Sequence, residues 1–324
     1  MVAAAAAPGR DDVLKRRELC KLAVAAAGAA ILAPAGRLLG NAAAAATAGT
    51  AGAAPSPALA AVKGAPAAAA RRAVDLLGGM GTFVRPGQKV VVKPNIGWDR
   101  TPEQAANTHP EVVVAVVRMC LEAGAGEVLV FDRTCNDQRL CYRRSGVEAA
   151  VEGVSDRRVR IIHPDERRYR SVAIPGGKVL TSWEFYEEAL AAEVFINVPI
   201  AKHHGLTVLT MSMKNVMGVA GGNRGRIHTD FDDKIVDLNL GRTSHLVVLD
   251  ATRILVAHGP QGGNLADVQH PGVVVAGTDV VAVDAYATRF FNKTPQDIPH
   301  IVRAAERGLG TMDLARVALR EETL

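Results

Sequence analysis

Five short aliphatic runs, most ending in or beside a charged or amide side chain, constrain this chain more than any other feature. They are QKVVVK (88–93), EVLVFD (127–132), VFINV (194–198), LVVLD (246–250) and VVVA (273–276). β-Branched runs of this length, bounded by Gly and Pro, read as buried strands. Between the first two, Pro110–Glu122 places Val113, Val114, Val117 and Leu121 at helical spacing and stops at Gly124. A strand, helix, strand order of this kind needs a right-handed crossover and yields a parallel pair. Further strands are expected at Ala58–Lys63 and Val159–His163, and helices at Ala65–Leu77, Phe185–Ala191, Val280–Phe291 and Ile298–Arg307. Leu206–Val216 stays open: Thr207, Val208 and Thr210 favour a strand, whereas Met211, Met213 and Val216 favour a helix. The expected fold is α/β, a mostly parallel or mixed central sheet flanked by helices, with room for two lobes.

The N-terminus reads differently. Lys15-Arg16-Arg17 and Lys21 precede the apolar run LAVAAAGAAILA (22–33), and small residues follow at Asn41–Ala46. A basic segment, a short apolar run and a small-residue stretch form an export signal, here of twin-arginine type, and the run is too short to span a bilayer. Residues 1–46 are therefore expected to be a twin-arginine signal peptide, 47–57 a flexible Ala-rich tail and 58–324 the folded domain. That organisation implies the twin-arginine translocase as a partner during export, a periplasmic or extracellular destination and no stable membrane span. Without the six basic and three acidic residues of 1–46, the net charge of +5 falls to about +2. With aromatic residues at only 4%, nothing suggests a nucleic-acid partner.

In open α/β sheets, ligands bind at the carboxyl ends of the strands. Lys93 and Asn95 flank Pro94 after the first run; Thr108 and His109 precede a helix; Asp132 ends EVLVFD and Asp250 ends LVVLD. Asn197, Lys202, His203 and His204 belong to or follow VFINV, and Thr210, Lys214 and Asn215 come soon after. Turns use Asn and Asp freely, but they do not require Lys or His. Two lysines with imidazoles suit a carboxylate or phosphate. The roles expected are anion neutralisation by Lys202 and Lys214, and proton exchange by Lys93 or His204. Asn95, Thr108, His109, Asn197, Thr210, Asn215 and Gly259 are expected to bind substrate. Adjacent histidines point to opposite sides of a strand, so His203-His204 is a poor metal pair. Asp279 is placed to cap the helix that follows it, and Asp284, inside that helix, is either exposed or paired with a cation of the site. Arg224, Arg226 and His228 read as a solvated loop, with gating of anion entry as the alternative. The chain has no dinucleotide fingerprint, Walker motif, serine elbow or HExxH.

The ordered set Gly87…VVVKPN, Thr108-His109-Pro110, EVLVFD, Asn197-x-Pro199-x-x-Lys202-x-His204 and Thr210-x-x-x-Lys214-Asn215-x-x-Gly218 resembles the family called domain of unknown function 362. His258-Gly259-Pro260-x-Gly262, Gly277-Thr278-Asp279-x-x-Ala282-Val283-Asp284 and Ala305-Glu306-Arg307-Gly308-Leu309-Gly310 extend the resemblance to the end of the chain. It implies the fold better than the function, since the family's biochemistry is largely uncharacterised. Some members are iron–sulfur proteins through an attached ferredoxin-like segment, and no such cysteine run occurs here.

Cys120 lies on the apolar face of a helix and reads as an inert core thiol. Cys135 and Cys141 share the loop after EVLVFD, and three states are open to them. They can close a short disulfide, serve as ligands of a divalent metal or of an iron–sulfur cluster shared across a homodimer, or remain thiols. The functional expectation is an exported enzyme that acts on a small anionic substrate with a metal or iron–sulfur centre. The alternative is a periplasmic binding or redox-carrier protein that uses the same basic pocket without turnover.

Overall fold

A computed structural model describes residues 58–324, so the expected signal peptide and Ala-rich tail lie outside the described residues. The strands are β1 (Ala58–Lys63), β2 (Lys89–Pro94), β3 (Glu127–Val130), β4 (Val159–Ile161), β5 (Tyr169–Ala173), β6 (Ser182–Tyr186) and β7 (Val194–Val198). They continue with β8 (Ile200–His204), β9 (Val208–Thr210), β10 (Leu246–Leu255), β11 (Val268–Gln269), β12 (Val273–Gly277) and β13 (Ala318–Thr323). The helices are α1 (Pro66–Asp75), α2 (Pro110–Glu122), α3 (Gln138–Arg144), α4 (Val147–Glu152) and α5 (Glu187–Ala191). After these come α6 (Ser212–Asn215), α7 (Phe231–Gly241), α8 (Val280–Ala287) and α9 (Pro299–Glu306).

The main sheet has the order β13-β1-β12-β10-β7-β2-β3-β4. From β10 through β7, β2 and β3 to β4 all pairings are parallel. β12 runs antiparallel to both neighbours, so the sheet is mixed. Each central strand is buried on both faces, which is why VVV and LVVL runs replace the alternation of a half-exposed sheet. One core lies on the α1/α2 side, around Val90, Val92, Val113 and Val117; the other holds Phe131, Phe185, Ile235 and Val283 under α7 and α8. The contacts of this part of the chain form one unit rather than two lobes. Among the described residues no helix is long and apolar enough to cross a membrane.

Two local departures from the sequence reading position the site. Pro199 has no N–H to donate, and at this point VFINV gives way to a second strand, β8, instead of a loop. Strand β10 runs on past Asp250, its first half paired with β7 and its second with β8. The ambiguous stretch Leu206–Val216 resolves into both candidates, strand β9 and then helix α6. Phe185, expected to start a helix, lies in β6, and only Glu187–Ala191 is helical.

Candidate functional site

Strand geometry aims the site's first three side chains. In the hairpin β8–β9, Lys202 pairs with Thr210, while His204 lies two residues beyond Lys202 on the same face. All three line a cavity of about 490 Å³ at the carboxyl ends of β2 and β3. His203 points the other way and accepts a hydrogen bond from the Gly259 amide, 3.1 Å. From the far wall, α6 and the turn after it contribute Lys214, Asn215, Met217 and Gly218. Asp284, inside α8, accepts hydrogen bonds from the Ser212 and Met213 amides at 2.7 and 3.0 Å, so backbone donors at the start of α6 satisfy it instead of a site cation. Asp279 caps α8 as expected, through the Val281 and Ala282 amides.

Three amides bind Lys93 and Lys202 into one network. Asn215 Oδ1 accepts from Lys93 Nζ (2.8 Å) and from Asn95 Nδ2 (3.1 Å). Asn215 Nδ2 donates to Asn197 Oδ1 at 2.8 Å, and Asn197 donates in turn to the Ser212 carbonyl. Lys202 Nζ donates to Asn95 Oδ1 (3.2 Å) and to the Ala106 carbonyl. Lys93 also lies 2.9 Å from Asp132 Oδ1, in an ion pair packed against Gly218. A Cβ at Gly218 would collide with both partners, so the close approach requires glycine here.

The charges are unbalanced. Lys93, Lys202 and Lys214 are only 1%, 1% and 9% exposed, and among the described residues Asp132 is the one carboxylate in the cavity wall. Lys214 Nζ meets Met217 Sδ at 3.5 Å and His228 Nε2 at 3.4 Å, and lies 5.4 Å from the Phe231 ring centre. Among the described residues no carboxylate lies within salt-bridge reach of Lys202 or Lys214. Burial lowers both amines, Lys202 to about 7 and Lys214 to about 8, against the opposing pull of the nearby Cys135 sulfur. Burial also lowers Lys93, although Asp132 resists. The Thr210 hydroxyl is buried in this wall with no hydrogen-bond partner. Buried polar groups are normally satisfied, and an orphan facing a cavity marks a ligand position.

His204 is held neutral, pushed to about 3 by burial first and then by Lys214 and His228. Its Nδ1 accepts from the Leu206 and Thr207 amides, which leaves Nε2 protonated. The side chain is thus a hydrogen-bond donor through Nε2. Lys93 is held in place by Asp132 and by Asn215 Oδ1.

The cavity gathers Lys93, Asn95, Cys135, Lys202, His204, Thr210, Lys214, Asn215 and Gly259 from the expected set. Other members serve packing. Thr108 Oγ1 accepts from the Asn95 amide and donates to the Val198 carbonyl, tying β2 to β7 beneath the cavity. His109 caps α2 and faces a separate small cleft beside Arg253 and His270. Asn197 orients Asn215 from below, and Asp250 pairs with Arg253 at 2.6 Å inside β10. Gly259 borders the cavity, but its amide is engaged by His203. Conversely, Arg224 and His228, read as a solvated loop, belong to the wall. Arg224 is fixed there by the Arg133 and Thr134 carbonyls, at 2.7 and 2.6 Å. Only a run of basic residues after a glycine pair hinted at them.

The cysteines are not bonded to each other: Cys135 borders the cavity, whereas Cys141 is buried with its Sγ 3.7 Å from the Gly97 carbonyl. Burial raises the Cys141 thiol to about 11, far from a ligating thiolate at neutral pH. Cys120 is fully buried, as a core thiol should be. Among the described residues no three His, Cys, Asp or Glu converge as a metal-holding group, and three lysines and Arg224 repel a cation. The donors among the described residues therefore do not fit a divalent metal or an iron–sulfur cluster.

A mixed α/β sheet with a cationic cavity at the carboxyl edge of its parallel strands defines the class of protein. The chain belongs to the family described as domain of unknown function (DUF362), which matches residues 90–289. It is 29% identical over 251 residues to the thylakoid-associated protein sll1697 of Synechocystis sp., covering 75% of this chain and 74% of that one. Among solved structures, the lactate racemase apoprotein of Thermoanaerobacterium thermosaccharolyticum is similar at a TM-score of 0.43 and 10% identity. A Thermotoga maritima protein is similar at 0.38 and 10%. The matches cover 72% and 71% of this chain but only 56% and 60% of those two chains.

Proposed function

We propose that this protein is an enzyme acting on a small organic anion in the cavity between β8, β9 and α6. The observation that carries the proposal is the burial of Lys202 and Lys214 in one cavity where, among the described residues, the one wall carboxylate, Asp132, is paired with Lys93. Two buried ammonium groups without a counter-ion are costly, and a bound carboxylate or phosphate supplies the missing charge. Thr210 Oγ1 and the His204 Nε2–H are further donors for its oxygens. Trp98, Leu206, Met217 and Pro260 give the cavity an apolar side for the rest of the molecule. With its amine lowered to about 7, Lys202 holds or releases a proton near neutral pH, as a general acid or base requires. The reading includes export by the twin-arginine route to the periplasm or beyond, supported by the order of residues in 1–46.

The test is thermal unfolding with acetate, pyruvate, propionate, phenylpyruvate and inorganic phosphate, each at several concentrations. At least one anion should raise the Tm saturably. Lys202→Met should weaken that binding about tenfold or more, the loss expected for a charge-assisted hydrogen bond. Stabilisation unchanged by Lys202→Met, or none with any anion, refutes the assignment. An anion that binds but is never converted would favour the binding-protein alternative.

A further inference from the structure

Resting on the anion-binding reading, the geometry points to a covalent role for one side chain: we propose that Lys214 forms an imine with the carbonyl carbon of a 2-oxo carboxylate. Four observations bear on it, and the first concerns which amine is available. Lys93 is held by Asp132 and Asn215, and Lys202 by Asn95 and the Ala106 carbonyl. Lys214 has no oxygen acceptor among the described residues; its Nζ meets only a thioether and an imidazole nitrogen.

Second, that imidazole stands where a base is needed. His228 Nε2 is 3.4 Å from Lys214 Nζ. Its ring is fixed by stacking between His204 and Phe231, with ring centres 5.8 and 5.9 Å away. A nucleophile with a base in reach, and the base oriented by a third group, is the arrangement of covalent catalysis. Third, burial lowers the Lys214 amine to about 8, so an appreciable fraction is unprotonated near neutral pH. Fourth, the cavity has a separate place for the carboxylate, at the Lys202 ammonium and the unpartnered Thr210 hydroxyl.

The step balances without a co-reactant. The Nζ lone pair adds to the carbonyl carbon, and the carbonyl π pair moves to oxygen. His228 Nε2 carries one amine proton to that oxygen, giving a carbinolamine. The C–O bond then breaks, the second nitrogen proton leaves, and both hydrogens depart with the oxygen as water. Lys214 is left joined to the substrate carbon by C=N, with nothing oxidised or reduced.

Borohydride makes this readable, because it reduces an imine to a stable secondary amine. The full-length protein is incubated with pyruvate or phenylpyruvate, treated with sodium borohydride and mapped by peptide mass spectrometry. With the 2-oxo acid kept saturating at each pH, the expected result is about one adduct per chain, on Lys214, increasing between pH 7 and pH 9 and abolished in Lys214→Arg. Mapping on the wild-type protein makes the answer independent of whether the variant folds. Propionate and 3-phenylpropionate, which lack the carbonyl, should raise the Tm and leave no adduct. No adduct with either 2-oxo acid, or labelling spread over exposed lysines such as Lys63 and Lys178, overturns the imine. If the anions still stabilise the protein in a Lys202-dependent way, the imine alone falls; if none does, the anion reading falls with it.

Discussion

Lys202 shows how one residue couples function to stability. In the unfolded chain its amine titrates near the ordinary lysine value, about 10.4, whereas burial in the fold lowers it to about 7. Between those two values the unfolded chain binds more protons than the folded one, so stability rises with pH across that window. The penalty is fully present below about pH 7, and each pKa unit corresponds to about 1.4 kcal/mol. Removing the amine should therefore help most where it is forced to carry charge. Lys202→Met should have a higher Tm than the ligand-free wild type at pH 6.5, with the gap shrinking by pH 9. A gap that is constant or widens with pH would show that the buried amine is not held at a depressed value. A bound anion should have a related effect, since its charge favours the protonated amine and its own affinity should fade as the solution becomes alkaline.

At the scale of elements, the site depends on a helix of one turn. Four residues cannot form a stable helix unaided, and α6 is kept in place by the Asp284 carboxylate, which takes its first two amides. Burial raises that carboxyl to about 6 despite those bonds. Asp284→Asn keeps one oxygen acceptor and nearly the same shape. Asp284→Ala strands two buried N–H groups at about 1–3 kcal/mol each. Urea denaturation should accordingly rank wild type above Asn above Ala, and anion affinity should follow the same order because α6 carries Lys214. Equal stability of the alanine variant would mean that α6 is held by something else. Little of this was legible in advance: Asp284 stood out as a misfit within an apolar helix, but its partner lies 72 residues away.

For the whole molecule, the central question is where the folded domain works. Residues 58–324 build an open mixed sheet with cores on both faces, and the twin-arginine route is the one suited to a chain that folds before it crosses. Cells expressing the full chain should release it to the periplasmic or extracellular fraction. Replacing Arg16 and Arg17 together by Lys should retain it inside. Equal export of the paired variant would remove the twin-arginine assignment and leave the cavity untouched.

Sequence alone determined strands β1–β4, β7, β10 and β12, helices α1, α2, α8 and α9, and the basic character of the site. Patterns such as KVVVKP and LVVLD are local, and hydrophobic period together with Gly and Pro punctuation specifies them without distant partners. Lys93, Lys202 and Lys214 could be picked out because no turn or core needs an ammonium group. Tertiary structure decided which polar side chains were left over for a ligand. Thr108, Asn197 and Asp250 look just as functional in sequence, yet each is committed to a backbone group that only folding brings within reach, while the His109 ring is spent on capping its own helix. Arg224 and His228 entered the wall for the converse reason: the loop carrying them is anchored on carbonyls about 90 residues earlier in the chain. A hydrogen bond is satisfied by distance in space, which a one-dimensional pattern does not contain.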